Sequence, residues 1–289
     1  MLEPLLPLID RTLQPAESSG ALQPIRTERT VIRDGGIDFT VRWVSSRAVK
    51  DAARVSAAVR RDPDFNPFLP PEAALTVGPL GDTHYAVLNK YPVIARHILI
   101  VTRQFEPQTA PLGVADFGAL ARIMTELGGL GFYNGGTDAG ASQQHKHLQW
   151  IPASADGARL QAFTDRLPAD LPPGSITIDP ALPWRHCFVR LRHGEAHQAG
   201  VAGVRFHEAF GHACVALGIA PDQDPMPPYN LLTCGRWLVV IPRSREKLEH
   251  ISVNALGFAC SLFVRHPEQI ESVRRIGPLA LLTAVAHAR

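Results

Sequence analysis

The sequence predicts an α+β protein: a largely antiparallel sheet with flanking helices. Two observations carry this. Segments rich in β-branched residues recur, such as Ile37–Val44 (IDFTVRWV) and His97–Thr102 (HILIVT). Helical segments follow strands without the regular strand–helix–strand alternation of a parallel sheet. The chain of 289 residues, 45% hydrophobic and 19% charged, is long enough for a substantial core and too apolar for a disordered chain. Residues 1–24 read as an N-terminal helix and linker, and residues 25–289 as a single domain.

In chain order, Leu5–Leu13 forms a short amphipathic helix, and Gln14–Gln23, with Ser18-Ser19-Gly20, reads as a linker. IDFTVRWV is the first strand, and Lys50–Arg60 is compatible with a helix. Pro63, Pro67, Pro70, Pro71 and Pro79 then mark an irregular stretch, in which Phe65, Phe68 and Leu69 argue for order. THYAVL (83–88) and HILIVT pair antiparallel across Asn89-Lys90-Tyr91-Pro92. The clearest helix spans Asp116–Leu127, with Phe117, Leu120, Met124 and Leu127 on one face and Gly128-Gly129 ending it. Gly131–Tyr133 and His145–Ile151 read as strands. WLVVIPR (237–243) echoes HILIVTR (97–103), a weak sign of internal duplication. Helices are expected over Val204–Leu217, over Val253–Val264 and near the C-terminus.

Composition excludes several classes. A formal net charge of +2 gives no electrostatic case for a nucleic-acid or membrane partner. The four cysteines, Cys187, Cys214, Cys234 and Cys260, form no CxxC pair and read as buried reduced thiols. The N-terminus, with Glu3 and two early prolines, does not read as a signal peptide, and the long apolar run of a membrane span is missing. The expected compartment is the cytoplasm.

Chemistry concentrates in NGGTDAGASQQHKHLQWIP (134–152). On a strand, His145, His147 and Gln149 point to one side and Lys146, Leu148 and Trp150 to the other, with the outer polar pair about 13 Å apart. Gly135, Gly136 and Gly140 permit tight turns and close approach of a ligand to backbone amides, as in anion-binding nests. Ser142, Gln143 and Gln144 add donors. Lys90 and Arg96, between the two earlier strands, are candidate sources of charge. Three chemistries compete. A metal site uses HxH as two ligands and needs more, with His186-Cys187 a candidate contributor that no spacing recommends. General base catalysis needs a hydroxyl such as that of Ser142. A nucleophilic histidine needs its second nitrogen held by an acceptor, which a backbone carbonyl supplies.

NGGTDAGASQQHKHLQ resembles the signature of the histidine-triad superfamily, in the transferase branch where HxHxQ replaces the hydrolase pattern HxHxH. FNPFLPPEAALTVG, LNKYPVIARHILIVT, LPWRHCFVRL, YNLLTCGRWLVVIPRSRE and NALGFACSLFV are similar to successive blocks of diadenosine tetraphosphate phosphorylases, also called ATP adenylyltransferases. The similarity runs from about Phe39 to Leu282; galactose-1-phosphate uridylyltransferases are more distant relatives. It implies a histidine-triad-like fold and a two-step reaction. His147 attacks an α-phosphorus of diadenosine tetraphosphate, ATP leaves, and phosphate then takes AMP from the imidazole to give ADP, reversibly. In this reading Gln149 binds the α-phosphate and the His145 carbonyl orients His147, with the His145 imidazole in support. Asn134, Gly135, Gly136, Ser142 and Gln144 line the phosphates. Asn89 and Lys90 match the family's NK pair, with Lys90 supplying phosphate charge, and Lys50 reaches the distal phosphates. His97 takes a structural slot, and Asn66-Pro67-Phe68 covers the nucleotide. No cofactor is built in; Mg²⁺ is expected only as a counter-ion of the polyphosphate. The rival readings are a nucleotidyl-sugar transferase, a histidine-triad hydrolase and a nucleotide-binding sensor without turnover. Two departures concern the choice of dinucleotide and acceptor rather than the nucleophile. Gln144 stands where fungal members often have proline, and Cys234-Gly235 stands where bulkier or more basic residues are expected.

Overall fold

The computed structural model describes residues 3–44, 65–153, 158–192 and 199–289. Lys50 and the helix-compatible segment 50–60 lie outside the described residues. The centre is a nine-stranded sheet in which every neighbouring pair is antiparallel. Its strands are β3 (Thr76–Leu80), β4 (His84–Leu88), β5 (Ile98–Thr102), β6 (Leu130–Gly135), β7 (His147–Ile151), β8 (Ile176–Thr177), β9 (Cys187–Arg190), β10 (Tyr229–Cys234) and β11 (Trp237–Pro242). They lie side by side in the order β3-β4-β5-β7-β6-β10-β11-β9-β8. A smaller sheet places β2 (Ile37–Val44) between β1 (Thr27–Asp34) and β12 (Ser261–Val264), the last running parallel to β2. The β1–β2 turn is the two-residue Gly35-Gly36, both at positive φ, the conformation a tight hairpin needs.

Core residues cover both faces of the large sheet. On one face Leu148, Trp150, Tyr133, Leu231 and Val240 pack with three helices: α1 (Leu5–Ser18), α2 (Val114–Leu127) and α4 (Ala199–Ala216). On the other, Phe132, Ile151, Leu232 and Val239 meet the small sheet, the short helix α3 (Gln161–Thr164) and the C-terminal helices α5 (Gln269–Ile276) and α6 (Pro278–Val285). Coverage on both sides explains why β10 and β11 are buried at every position and read as apolar runs rather than alternating strands.

The sheet order is a mirror about the β6–β10 pair. A unit β4-β5-α2-β6-β7 is repeated by β8-β9-α4-β10-β11, and α2 packs on α4. Register aligns the units residue by residue. Gln149 lies between Leu99 and Phe132; Val239 lies likewise between Phe188 and Leu232. His147 faces Val101 as Trp237 faces Arg190. WLVVIP is therefore the counterpart of HLQWIP (147–152), not of HILIVT as the sequence pattern suggested. In the second unit Trp237 and Val239 replace the histidine and glutamine, so only the first carries the polar set.

Three segments differ from expectation. The helix expected to end at Leu13 continues through Pro15 to Ser18, and buried Ala16 accepts the Leu22 N–H at 2.9 Å, so part of the expected linker is packed structure. The helix expected over Val253–Val264 is a 3₁₀ turn (Ala255–Ala259) followed by β12. Cys260, at φ 62°, breaks any helix there, and burial on all sides gave that run its misleading apolar pattern. β1 carried no recognised signal.

Candidate active site

β7 is the last strand of its unit and lies between β5 and β6, so His147 and Gln149 sit in the interior of the sheet. His147 Nδ1 is 2.8 Å from the carbonyl oxygen of His145. A carbonyl only accepts, so Nδ1 carries the proton and the Nε2 lone pair is free for chemistry. Burial lowers the pKa of His147 to about 4, against the partial support of that hydrogen bond, so the ring is neutral at physiological pH. Gln108 holds the backbone here. Its Oε1 accepts the His147 N–H at 2.9 Å, and its Nε2 donates to the Asn134 carbonyl at 2.9 Å. Gln108 thus ties β7 to the end of β6, a role with no signal in the sequence because a lone glutamine in a loop has no pattern.

His145 lies just before β7, bridged to Pro107. Its Nε2–H donates to the Thr102 carbonyl at 2.8 Å and its Nδ1 faces Asn66 Nδ2 at 3.0 Å. With both nitrogens engaged, the imidazole has no free lone pair. Phe68 lies against both histidine rings, with centroid distances of 5.6 Å to His145 and 5.5 Å to His147. The Asn66-Pro67-Phe68 loop therefore packs onto the histidines. Lys146, on the opposite side of the strand, is buried. Its ammonium is satisfied by Glu106 at 2.5 Å, the Pro111 carbonyl at 3.0 Å and Asp116 at 3.4 Å. Asp116 also bonds His84 Nε2 at 2.9 Å. Burial raises the Asp116 pKa, but the His84 hydrogen bond and the Lys146 charge outweigh it, and the net shift is downward. This ionic network braces the chain from behind.

Gln149 Oε1 faces Nε2 of His97 at 3.0 Å, and His97 Nδ1 faces Asn89 Nδ2 at 3.1 Å. Burial lowers the His97 pKa to about 4. Asn89, expected at the phosphates, thus spends its side chain on His97 and on the N–H of Tyr91, at 3.1 Å. Lys90 is ion-paired with Glu72 at 2.6 Å, and Arg96 with Asp10 of α1 at 2.8 Å. Asn134 accepts from Asn230 Nδ2 and from the Ala255 N–H through Oδ1, each at 2.9 Å. Gly135 is packed: a Cβ there would come within 2.8 Å of the Tyr229 ring. Gly136 adopts φ 91° and is also buried. Ser142 and Gln144 are exposed.

The glycine loop leads to a cavity of about 260 Å³. Gly140 and Asn254 form one wall, and Arg42, Ser261 and Arg265 contribute polar groups. Gly140 is at φ 89°, and a Cβ there would meet the Val253 carbonyl at 2.8 Å, so the loop and this wall touch. Behind them Arg243 donates to the carbonyls of Ala139 at 3.2 Å and Val253 at 2.9 Å, and to Asn230 Oδ1 at 2.5 Å. Sequence reading missed Arg42, Arg243 and Arg265 because they come from strands and strand ends far apart in the chain. Among the described residues, no group of three or more His, Cys, Asp or Glu side chains is placed to hold a metal ion. His186 uses Nδ1 on the Trp184 carbonyl at 2.7 Å and Nε2 on the Asp179 N–H at 2.9 Å. The four cysteines are free and buried, with thiol pKa values pushed up to about 12. No described helix is long and apolar enough to cross a membrane.

The two buried neutral histidines predict a pH dependence. Their folded pKa values, about 4, lie below the value of 6.5 for the unfolded chain, so below pH 6.5 the unfolded state binds more protons. Stability contributed by His97 and His147 is fully present above pH 6.5 and is lost as pH falls toward 4. Denaturant titrations at pH 7.5, 6, 5 and 4.5 should show a progressive loss. His147→Asn should flatten part of that slope; a slope unchanged in this variant would contradict a buried neutral His147.

Comparison with known proteins places these features. The family model for the Ap4A phosphorylase N-terminal domain matches residues 2–165, and that for the ATP adenylyltransferase C-terminal domain matches residues 180–288. The chain is 26% identical to diadenosine 5',5'''-P1,P4-tetraphosphate phosphorylase 2 of Saccharomyces cerevisiae, over 89% of this chain and 86% of that protein. It is 23% identical to the protein APA1 of the same yeast, over 92% and 88%. Crystal structures of the yeast Ap4A phosphorylase Apa2 share the fold. The AMP complex superposes with a TM-score of 0.79 at 22% identity, covering 100% of this chain and 98% of the other, and the Ap4A complex with 0.76 at 21%. The two family models, which between them span nearly the whole chain, show that it belongs to the Ap4A phosphorylase family of ATP adenylyltransferases.

Proposed function

We propose that the chain converts diadenosine tetraphosphate and phosphate to ATP and ADP, reversibly, through an AMP group held on Nε2 of His147. The observation that carries this reading is the 2.8 Å bond from His147 Nδ1 to the His145 carbonyl, which fixes the tautomer of a buried, neutral imidazole. In the first step the Nε2 lone pair forms a bond to an α-phosphorus, and the bond from that phosphorus to the bridging oxygen breaks. ATP leaves as an anion and needs no proton, which suits a site whose other imidazoles are committed to protein partners. The ring becomes cationic while bonded to phosphorus, and the carbonyl of His145 stabilises that charge through Nδ1–H. In the second step a phosphate oxygen attacks the same phosphorus, ADP departs and the neutral imidazole returns.

Gln149 and the NH₂ of Asn134 bind the α-phosphate oxygens, and the backbone of the glycine loop, with Ser142 and Gln144, receives the rest of the polyphosphate. The cavity walled by Gly140, Asn254 and Arg265 receives a nucleotide half. Lys90 joins when the polyphosphate draws it from Glu72, an exposed pairing of small intrinsic worth. Mg²⁺ accompanies the polyphosphate as part of the substrate. Yeast Apa2 has been crystallised with AMP and with Ap4A, ligands of the size and charge this reading requires.

Product analysis tests the reading. With diadenosine tetraphosphate and phosphate, ATP and ADP should appear in equal amounts, and release should stop after one ATP per enzyme when phosphate is withheld. AMP as the main product would make the chain a hydrolase and overturn the proposal.

A further inference from the structure

The hydrogen bonds that end at Gln149 have a direction set by the backbone. The Tyr91 N–H can only donate, so the Asn89 atom that faces it is Oδ1. That places Asn89 Nδ2, which can only donate, against His97 Nδ1 at 3.1 Å. His97 Nδ1 is therefore the acceptor nitrogen and its proton sits on Nε2. Nε2–H in turn faces the Gln149 side chain at 3.0 Å, and the atom that meets it must be the oxygen. The Asn89 N–H also donates to the His97 carbonyl at 2.9 Å, holding the two ends of the connection together. His97 is buried and packs on Phe132 with ring centroids 5.7 Å apart. Every group in the relay is fixed by the one before it, and Gln149 is left with its NH₂ as the only free end.

We propose that His97 is a positioning residue that keeps the Gln149 amide turned with its NH₂, and not its oxygen, toward the phosphate on His147. This rests on the adenylyl-transfer reading above and adds a reason for the choice of acceptor. An outward NH₂ offers donors to phosphate oxygens and strengthens as charge builds on them. An outward oxygen would repel those oxygens and would accept a hydrogen bond from water, holding that water beside the phosphorus. His97 thus favours transfer to phosphate twice: it supports formation of the adenylyl-histidine and denies a waiting water its anchor. The second unit makes the contrast. There Val239 takes the place of Gln149, and His186, the counterpart of His97, turns its nitrogens to Trp184 and Asp179 instead.

Two measurements on the intact protein test the proposal. In the wild type, ¹⁵N spectra of the histidine rings should show His97 protonated on Nε2; protonation on Nδ1 overturns it without any variant. The kinetic test is a double-mutant cycle with His97→Leu and Gln149→Ala, reading single-turnover adenylylation and, at limiting phosphate, the ratio of AMP to ADP released. His97→Leu should slow adenylylation about 10- to 100-fold and raise the AMP fraction. His97→Gln, which restores a donor, should recover most of both. In the Gln149→Ala background, His97→Leu should change adenylylation less than about 3-fold. Equal losses in the two backgrounds, or an unchanged AMP fraction, would reduce His97 to packing and overturn the proposal. Wild-type protein that forms no adduct at all would instead strike the reading on which it rests.

Discussion

His147→Ala should lower the rate of adenylyl transfer about 10⁴-fold or more, because no other group at the site can take over the attack. The nearest substitutes are accounted for. Both nitrogens of His145 are bonded, to Thr102 and Asn66, and both of His97, to Gln149 and Asn89. The cysteines have thiol pKa values near about 12 and stay protonated at neutral pH. The substitution removes one side-chain hydrogen bond, and that bond is to a carbonyl two residues away, so the fold should survive. Intact-protein mass spectrometry after brief exposure to diadenosine tetraphosphate without phosphate should show one adenylyl group on the wild type and none on the variant. Turnover that persists in His147→Ala would remove the covalent mechanism while leaving the fold assignment untouched.

Arg243→Met should cost about 4 kcal/mol or more of stability, among the largest effects a single substitution produces. Arg243 is almost wholly buried and donates to six oxygens: the carbonyls of Ala139, Val285, Arg245, Glu246 and Val253, and Asn230 Oδ1. Burial lowers its pKa to about 10, still charged at neutral pH, and methionine would remove all six of these hydrogen bonds at once. Because Ala139 and Val253 lie on the two sides of the Gly140 contact, the loss should also weaken nucleotide binding. Urea unfolding followed by tryptophan fluorescence measures the first effect and the KM for diadenosine tetraphosphate the second. Arg243→Lys should recover only part, since an ammonium has three donors where the guanidinium has five. A loss below about 1 kcal/mol in Arg243→Met would show that water replaces the guanidinium and would refute the clamp.

Much of the first unit was legible from residue order alone. The strand at 98–102, the helix ending at Gly128 and the strand through His147 each carry local signals, namely β-branching, an i/i+3/i+4 apolar face and a glycine stop. The second unit was read less well for a physical reason. Burial on both faces of the sheet removes the alternation that marks a strand, and the run 253–264 imitated a helix until Cys260 took a left-handed turn. The internal repeat was sensed in the sequence and misaligned. Sequence likeness matched one apolar strand to another, whereas register pairs Val239 with the place of Gln149.

The sequence by itself determined the family of this protein and the place of its polar strand face: a histidine, two residues before a glutamine on one strand face, behind a glycine-rich loop, in the company of blocks shared along almost the whole chain. It determined these because they are contiguous, and strand geometry converts contiguity into a shared face. Only the tertiary structure decided how each group is held. The bond from His97 to Gln149, the pairing of Lys90 with Glu72 and the clamp of Arg243 behind the Gly140 wall join residues from 18 to 104 positions apart. A hydrogen bond has a length and a direction, and neither exists until the sheet has set its register.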